Sequence, residues 1–202
     1  MKPRVILRAC DGYELSKLKD IISASMTELG LNPTGRVFIK PNVVTASRQY
    51  IRSSYTHPSV VEAMLEVLKV HPTDDIVVGE SGGYGVPSRL FLKEAGYFEL
   101  GRRQNVDVID LNEHAVDRVK LNRSVCHSEI LLPRAIKEAD FKIWIPKLKY
   151  HIFAHITNAL KLNIGILTHK ERMLFHDYRI HEKIVDLLEP GYPDLIVSDA
   201  ID

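Results

Sequence analysis

The chain has 202 residues, 45% of them hydrophobic and 26% charged, with 27 lysines and arginines against 26 aspartates and glutamates. That is enough apolar material for a compact core, which excludes disorder as the main state. A net charge of +1 speaks against the broad basic field of a protein that lives on nucleic acid or acidic lipid, and leaves room only for a local basic site.

Six short runs rich in β-branched or aromatic residues predict strands: Val5 to Leu7, Val37 to Ile39, Ile76 to Val78, Val106 to Ile109, Phe141 to Ile145 and Leu195 to Val197. Continuous apolar runs of this kind suit strands covered on both faces. Between the first two, Leu15, Leu18, Ile22, Met26 and Leu29 recur at helical spacing, with Gly30 as the stop, so a helix is expected over 14–29. Pro58 opens a second helix, in which Val61, Met64, Leu65 and Leu68 form one stripe. A shorter helix is expected over 88–94, closed by Gly96. Alternation of strands and helices implies crossover connections and a single α/β domain over 1–202: three layers, a mostly parallel sheet, helices on both faces.

After Asp110 the rhythm changes. Val116 to Leu121 and Ser128 to Leu132 flank a polar stretch and read as an inserted β-hairpin. Further helices are expected over 133–138, 153–162 and 179–188. The longest apolar stretch, Ile152 to Leu167, is broken by His155, Asn158, Lys161 and Asn163, and is shorter than the ~20 apolar residues of a membrane span. The first residues carry no charged-then-apolar leader, so the expected location is the cytoplasm. Cys10 and Cys126 make neither a disulfide framework nor a Cys-x-x-Cys pair, and no iron-sulfur cluster is expected in this chain.

Ligands of parallel sheets bind outside the carboxyl ends of the strands. There the sequence delivers Lys40-Pro41-Asn42, Gly79-Glu80-Ser81-Gly82-Gly83, Pro146-Lys147-Leu148-Lys149-Tyr150-His151 and Ser198-Asp199. From Phe141 to His176 six basic residues face one acidic residue; from Asp177 onward seven acidic residues face two basic ones. In a cleft the basic stretch would favour a phosphate or carboxylate; two opposite-signed surfaces that meet each other would explain it equally well.

Individual motifs leave alternatives open. The four glycines of 79–85 fit neither a Gly-x-Gly-x-x-Gly nor a Walker loop. Glu80 suits a general base, a metal ligand or a structural partner of a lysine. His151 and His155 stand one helical turn apart, but the glutamate of a zinc-protease motif is missing, and a packed or surface role is the plainer reading. Lys147, Lys149 and His151 alternate and would share one side of an extended segment. Asn158 and Lys161 would share a helix face. His57, just before Pro58, is a capping or ligand-facing residue.

Together, Lys40-Pro41-Asn42, Thr56-His57-Pro58, Gly79-Glu80-Ser81, Gly96-Tyr97, Ala139-Asp140, Pro146 to His151, Thr157-Asn158-Ala159-Leu160-Lys161, Gly165 and Pro193-Asp194-Leu195 with Asp199 resemble the uncharacterised family catalogued as domain of unknown function 362. The likeness runs in order from about Arg36 to Asp202. It implies importance for Lys40, Asn42, His57, Glu80, Lys149, His151, Asn158, Lys161 and Asp199, but no reaction. Family members are often joined to ferredoxin-like iron-sulfur segments, which implies redox-linked biology and an iron-sulfur protein as partner. Asp199-Ala200 stands where the family usually has Asp-Gly. The family domain usually continues further, so this chain is expected to be its N-terminal part, with a sheet left incomplete at its final strand and a homo-oligomer as the result.

Two functions follow as expectations. The first is an enzyme-like domain that binds a small anion at the strand ends. Lys40, Lys149 and Lys161 would hold the anion, with His57 and Ser81 beside them. Asn42 and Asn158 would orient it, and Glu80, His151 or Asp199 would move protons or hold a divalent ion. Lysines crowded together could also support Schiff-base chemistry. The alternative is a non-catalytic module that docks onto an iron-sulfur partner or its own copy.

Overall fold

The computed structural model describes residues 3–46, 54–83 and 87–201. Its centre is a five-stranded parallel sheet in the order β3-β2-β1-β6-β9. The strands are β1 (Gly35–Pro41), β2 (Thr73–Glu80), β3 (Asp107–Asp110), β6 (Phe141–Ile145) and β9 (Leu195–Ile196). Alternation along each strand sends side chains to two separate cores. Val37, Ile39, Val78, Ile143 and Ile145 join helices α1 (Leu15–Leu29), α2 (Pro58–Leu68), α3 (Ser88–Glu94) and α4 (Tyr97–Gln104) on one face. Phe38 and Trp144 point the other way. They meet the antiparallel hairpin β4 (Val116–Lys120) and β5 (Glu129–Pro133), helix α5 (Arg134–Lys137), and the 3-10 helix Leu160–Ile166. The three layers of an α/β fold are therefore present, with a hairpin occupying part of the second face.

Local chemistry sets the boundaries. Gly30, at φ 69°, ends α1 by placing its own N–H on Thr27 O and that of Leu31 on Met26 O, the left-handed helix stop that glycine adopts at least cost. Pro58 starts α2, and His57 Nδ1 accepts from Ser59 N at 3.2 Å, so this imidazole is the helix cap.

Three expectations are corrected. Val5 and Leu7 are 83% and 87% exposed and lie in no strand. A short β-branched run forms a strand only where a sheet edge accepts it, and this segment instead runs along α1, with Arg8 paired to Glu28. The helix expected over 153–162 is a hairpin of β7 (Lys149–His151) and β8 (His155–Thr157), followed by the 3-10 helix. Its turn is built by His151 Nδ1, which accepts from the N–H groups of Phe153 and Ala154, and by His155 at φ 59°. Thirdly, the helix expected over 179–188 is present as α7 (Ile180–Asp186) but breaks before a further turn, α8 (Leu188–Gly191), and the helices α4 and α6 (His169–Met173) stand where no element was expected. Gly85 of the glycine-rich loop lies outside the described residues. No helix among the described residues is long and apolar enough to cross a membrane.

Candidate functional site

A cavity of about 430 Å³ opens at the carboxyl ends of β1, β2 and β6. A wider groove of about 1080 Å³ runs at the opposite strand ends, where Lys69, Asp74, Asp75 and Lys93 mix their signs; none of the expected site residues lines it.

The floor of the cavity is an ion pair. Lys40, the last side chain but one of β1, is 0% exposed and donates to Glu80 Oε1 at 2.5 Å. Glu80 is also fixed by Ser81 N on Oε1 and Val43 N on Oε2. Burial pushes the Lys40 ammonium below its usual range and Glu80 holds it up. Gly165 of the 3-10 helix lies directly on this pair: a Cβ there would stand 2.6 Å from Lys40 Nζ and 2.7 Å from Glu80 Oε1. The glycine at 165 is required by this close approach rather than by its backbone angles.

Above the floor the charge is one-sided. Lys149, Lys161 and Arg172 line the wall, and the one carboxylate nearby is already engaged. Lys149 donates to Ser54 O. Arg172 reaches Asn112 Oδ1 at 2.8 Å and Gly83 O at 3.5 Å. Burial, and then the neighbouring cations, lower Lys149 and Lys161 to about 8 each, against the opposing pull of Glu80. His151 and His176, with ring centroids 5.7 Å apart, are lowered to about 4 each, first by burial and then by Lys161. Both imidazoles are neutral at physiological pH. Because His151 Nδ1 accepts two backbone N–H groups, its proton resides on Nε2. Four buried atoms of the lining residues lack a partner among the described residues: Asn42 Oδ1, Thr157 Oγ1, Arg172 Nε and His176 Nδ1. Groups of this kind are satisfied in most folded proteins.

Neighbouring segments keep the wall in place. Thr56 Oγ1 accepts from Asn42 N and donates to Ile145 O, which ties Asn42 to β6. Lys183 of α7, fully buried, donates to the carbonyls of Glu171, Arg172 and Leu174. Asp186, one turn on, accepts the N–H groups of Val125, Cys126 and His127. This helix therefore anchors the segment that carries Arg172 and His176.

Six of the expected residues share the cavity: Lys40, Asn42, Glu80, Lys149, His151 and Lys161. The other four lie elsewhere. Asp199 is 1% exposed and paired with Lys147 at 3.2 Å. It also accepts from Tyr13 Oη and His57 N, so its oxygens are consumed by a clasp that also takes Lys147 away from the side shared by Lys149 and His151. His57 stacks on Tyr13 at 3.9 Å in the same clasp. Ser81 Oγ donates to Gly165 O, and Asn158 Oδ1 accepts from Ala159 N and Ser198 Oγ. His155 pairs across the hairpin with His151 in register but stacks on His181 at 6.5 Å. Arg172, His176 and Thr157 were not singled out from sequence; the excess of basic residues and histidines before Asp177 was their one signal.

A family model described as domain of unknown function (DUF362) matches residues 37–202. The chain belongs to this family. A relative by sequence, the thylakoid-associated protein sll1697 of Synechocystis sp., is 25% identical over 214 residues, covering 100% of this chain and 64% of the relative. The chain thus spans just under two thirds of that protein. Among solved structures, the lactate racemase apoprotein from Thermoanaerobacterium thermosaccharolyticum has a similar fold, with a TM-score of 0.55 and 12% identity over 90% of this chain and 48% of that one. The matched DUF362 region contains every lining residue of the cavity.

Replacing Gly165 by alanine in this DUF362 chain forces a methyl group into the Lys40–Glu80 pair. A loss of about 1–3 kcal/mol is expected in urea denaturation, the usual cost of overpacking; an unchanged midpoint would contradict the close packing of Gly165 on the pair.

Proposed function

We propose that this chain is an enzyme-like α/β domain whose cavity binds a small anion, a carboxylate or a phosphate. The observation that carries the reading is the charge imbalance: Lys149, Lys161 and Arg172 face a space in which the one carboxylate is already committed to Lys40 and two amides. Buried cations without counter-ions are costly, and an anion removes that cost. Arg172 offers a planar fork suited to a carboxylate or phosphate. Asn42 and Thr157 supply unpaired polar atoms that would orient the ligand. His176, neutral at pH 7 and with Nδ1 unpartnered among the described residues, is the group available to take a proton, and His151 offers its Nε2–H as a hydrogen-bond donor. Glu80 and Lys40 act beneath as the fixed floor. By its name the racemase that shares the fold acts on a small carboxylate; that likeness is one of fold, and the reading rests on the cavity.

A second reading, docking onto another protein, is favoured by one observation. Tyr150, Ile152 and Ile156 on the β7–β8 hairpin are 75%, 70% and 55% exposed, an apolar rim that a partner would cover. In this reading the partner is an iron-sulfur protein or a second copy of the chain.

Calorimetric titration separates the anion sources. Oxalate and inorganic phosphate are offered in turn, and saturable binding of at least one at pH 7 is expected. Arg172→Gln should weaken it roughly tenfold or more, the scale of a charge-assisted hydrogen bond. Protonated lysines bind the anion, so affinity falls as pH rises through about 8, where Lys149 and Lys161 lose their protons. Binding raises both pKa values, and protons are taken up around pH 8. No binding of either anion, or an affinity that stays flat from pH 7 to well above 8, would refute the reading.

A further inference from the structure

Four lysines cluster at or beneath this end of the sheet, and three of them are engaged. Lys40 is held by Glu80 and by Pro41 O. Lys147 is held by Asp199 and Ile201 O, and Lys149 by Ser54 O. Lys161 lines the cavity and, among the described residues, makes neither a hydrogen bond nor an ion pair. It projects from the 3-10 helix beside Leu162, Ile164 and Gly165, which also line the space, and both imidazoles of the wall feel its charge more than that of any other group. An amine in such a setting, desolvated and crowded by like charges, is the arrangement that makes lysine a nucleophile.

We propose that Lys161 forms a protonated imine with the C2 carbonyl of a small 2-oxo carboxylate, whose carboxylate group sits against Arg172 and Lys149. This deepens the anion reading and rests on it. The step balances without an outside reagent. The Lys161 ammonium passes one proton to the neutral imidazole of His176, whose Nδ1 has no partner among the described residues, and its lone pair attacks C2 as the carbonyl π electrons move to oxygen. The resulting carbinolamine loses its hydroxyl as water, which carries away the proton returned by the imidazole and a hydrogen from nitrogen. The C2=Nζ bond forms with the positive charge on nitrogen. The amine must first deprotonate at working pH, and a value near 8 permits that in a fraction of molecules. No other lysine of the cavity combines an open position with freedom from a protein partner among the described residues.

Reductive trapping tests the assignment. The full chain is incubated with pyruvate and sodium borohydride, and peptides are mapped by mass spectrometry. One adduct is expected, on Lys161, with no other lysine modified in comparable yield. Lys161→Arg, checked for folding by circular dichroism, should give no cavity adduct, whereas in Lys149→Arg the adduct should still map to Lys161. Absence of an adduct in the unaltered chain, or an adduct spread over surface lysines, would overturn the proposal. Oxalate titration of the same preparation tells the two readings apart: oxalate binding without trapping sinks the imine alone, and failure of both sinks the anion reading with it.

Discussion

A single carboxylate, Glu80, organises the end of the sheet. It accepts three donors, of which Lys40 is one and the backbone amides of Ser81 and Val43 are the others. Breaking a buried pair of this kind leaves an uncompensated charge and typically costs about 3–5 kcal/mol, so Glu80 is fixed where it stands and neutralises only Lys40. Among the described residues no carboxylate pairs directly with Lys149, Lys161 or Arg172, although Glu80 acts on all three from a distance, and Asp110 on Arg172. Burial first, and then the neighbouring cations, depress the lysines and histidines there. Gly165, packed on the same pair, shows how closely the second core layer is built around it.

The rest of the architecture holds that imbalance in place. A clasp of Asp199, Lys147, Tyr13 and His57 joins the segment before α1, the start of α2, and the ends of β6 and β9. On the other side α7 holds three carbonyls through Lys183 and three amides through Asp186. Both devices satisfy backbone groups that loops would otherwise leave buried and unpaired. Functional side chains stand on short, irregular segments, and these polar anchors give such segments the rigidity that regular elements give elsewhere.

The parallel sheet was legible because five of its strands are dense apolar runs followed by charged residues, and α1, α2 and α3 because their stripes, Pro58 and Gly30 obey strong local rules. The region from Lys149 to Met173 was less legible. Its apolar residues fit helical spacing almost as well as strand alternation, and what decides between them is His151 accepting two backbone amides in the turn, a contact that no periodicity reports. The same limit applied to Asp199 and Glu80. Both are acids at strand ends, yet one closes a clasp and the other floors a cavity, and only the packing of Tyr13 and Gly165 distinguishes them. Val5 to Leu7 has strand propensity but pairs with no strand among the described residues.

The account stands or falls on uncompensated positive charge in the cavity, which the titration of the lysines themselves reports. Carbon-13 spectra of chain labelled at lysine Cε, with signals assigned by lysine-to-arginine variants, should show Lys149 and Lys161 titrating near 8 in the free protein and moving upward when oxalate is added. Both lysines titrating at the ordinary value of about 10.4, with no change on adding oxalate, would contradict it.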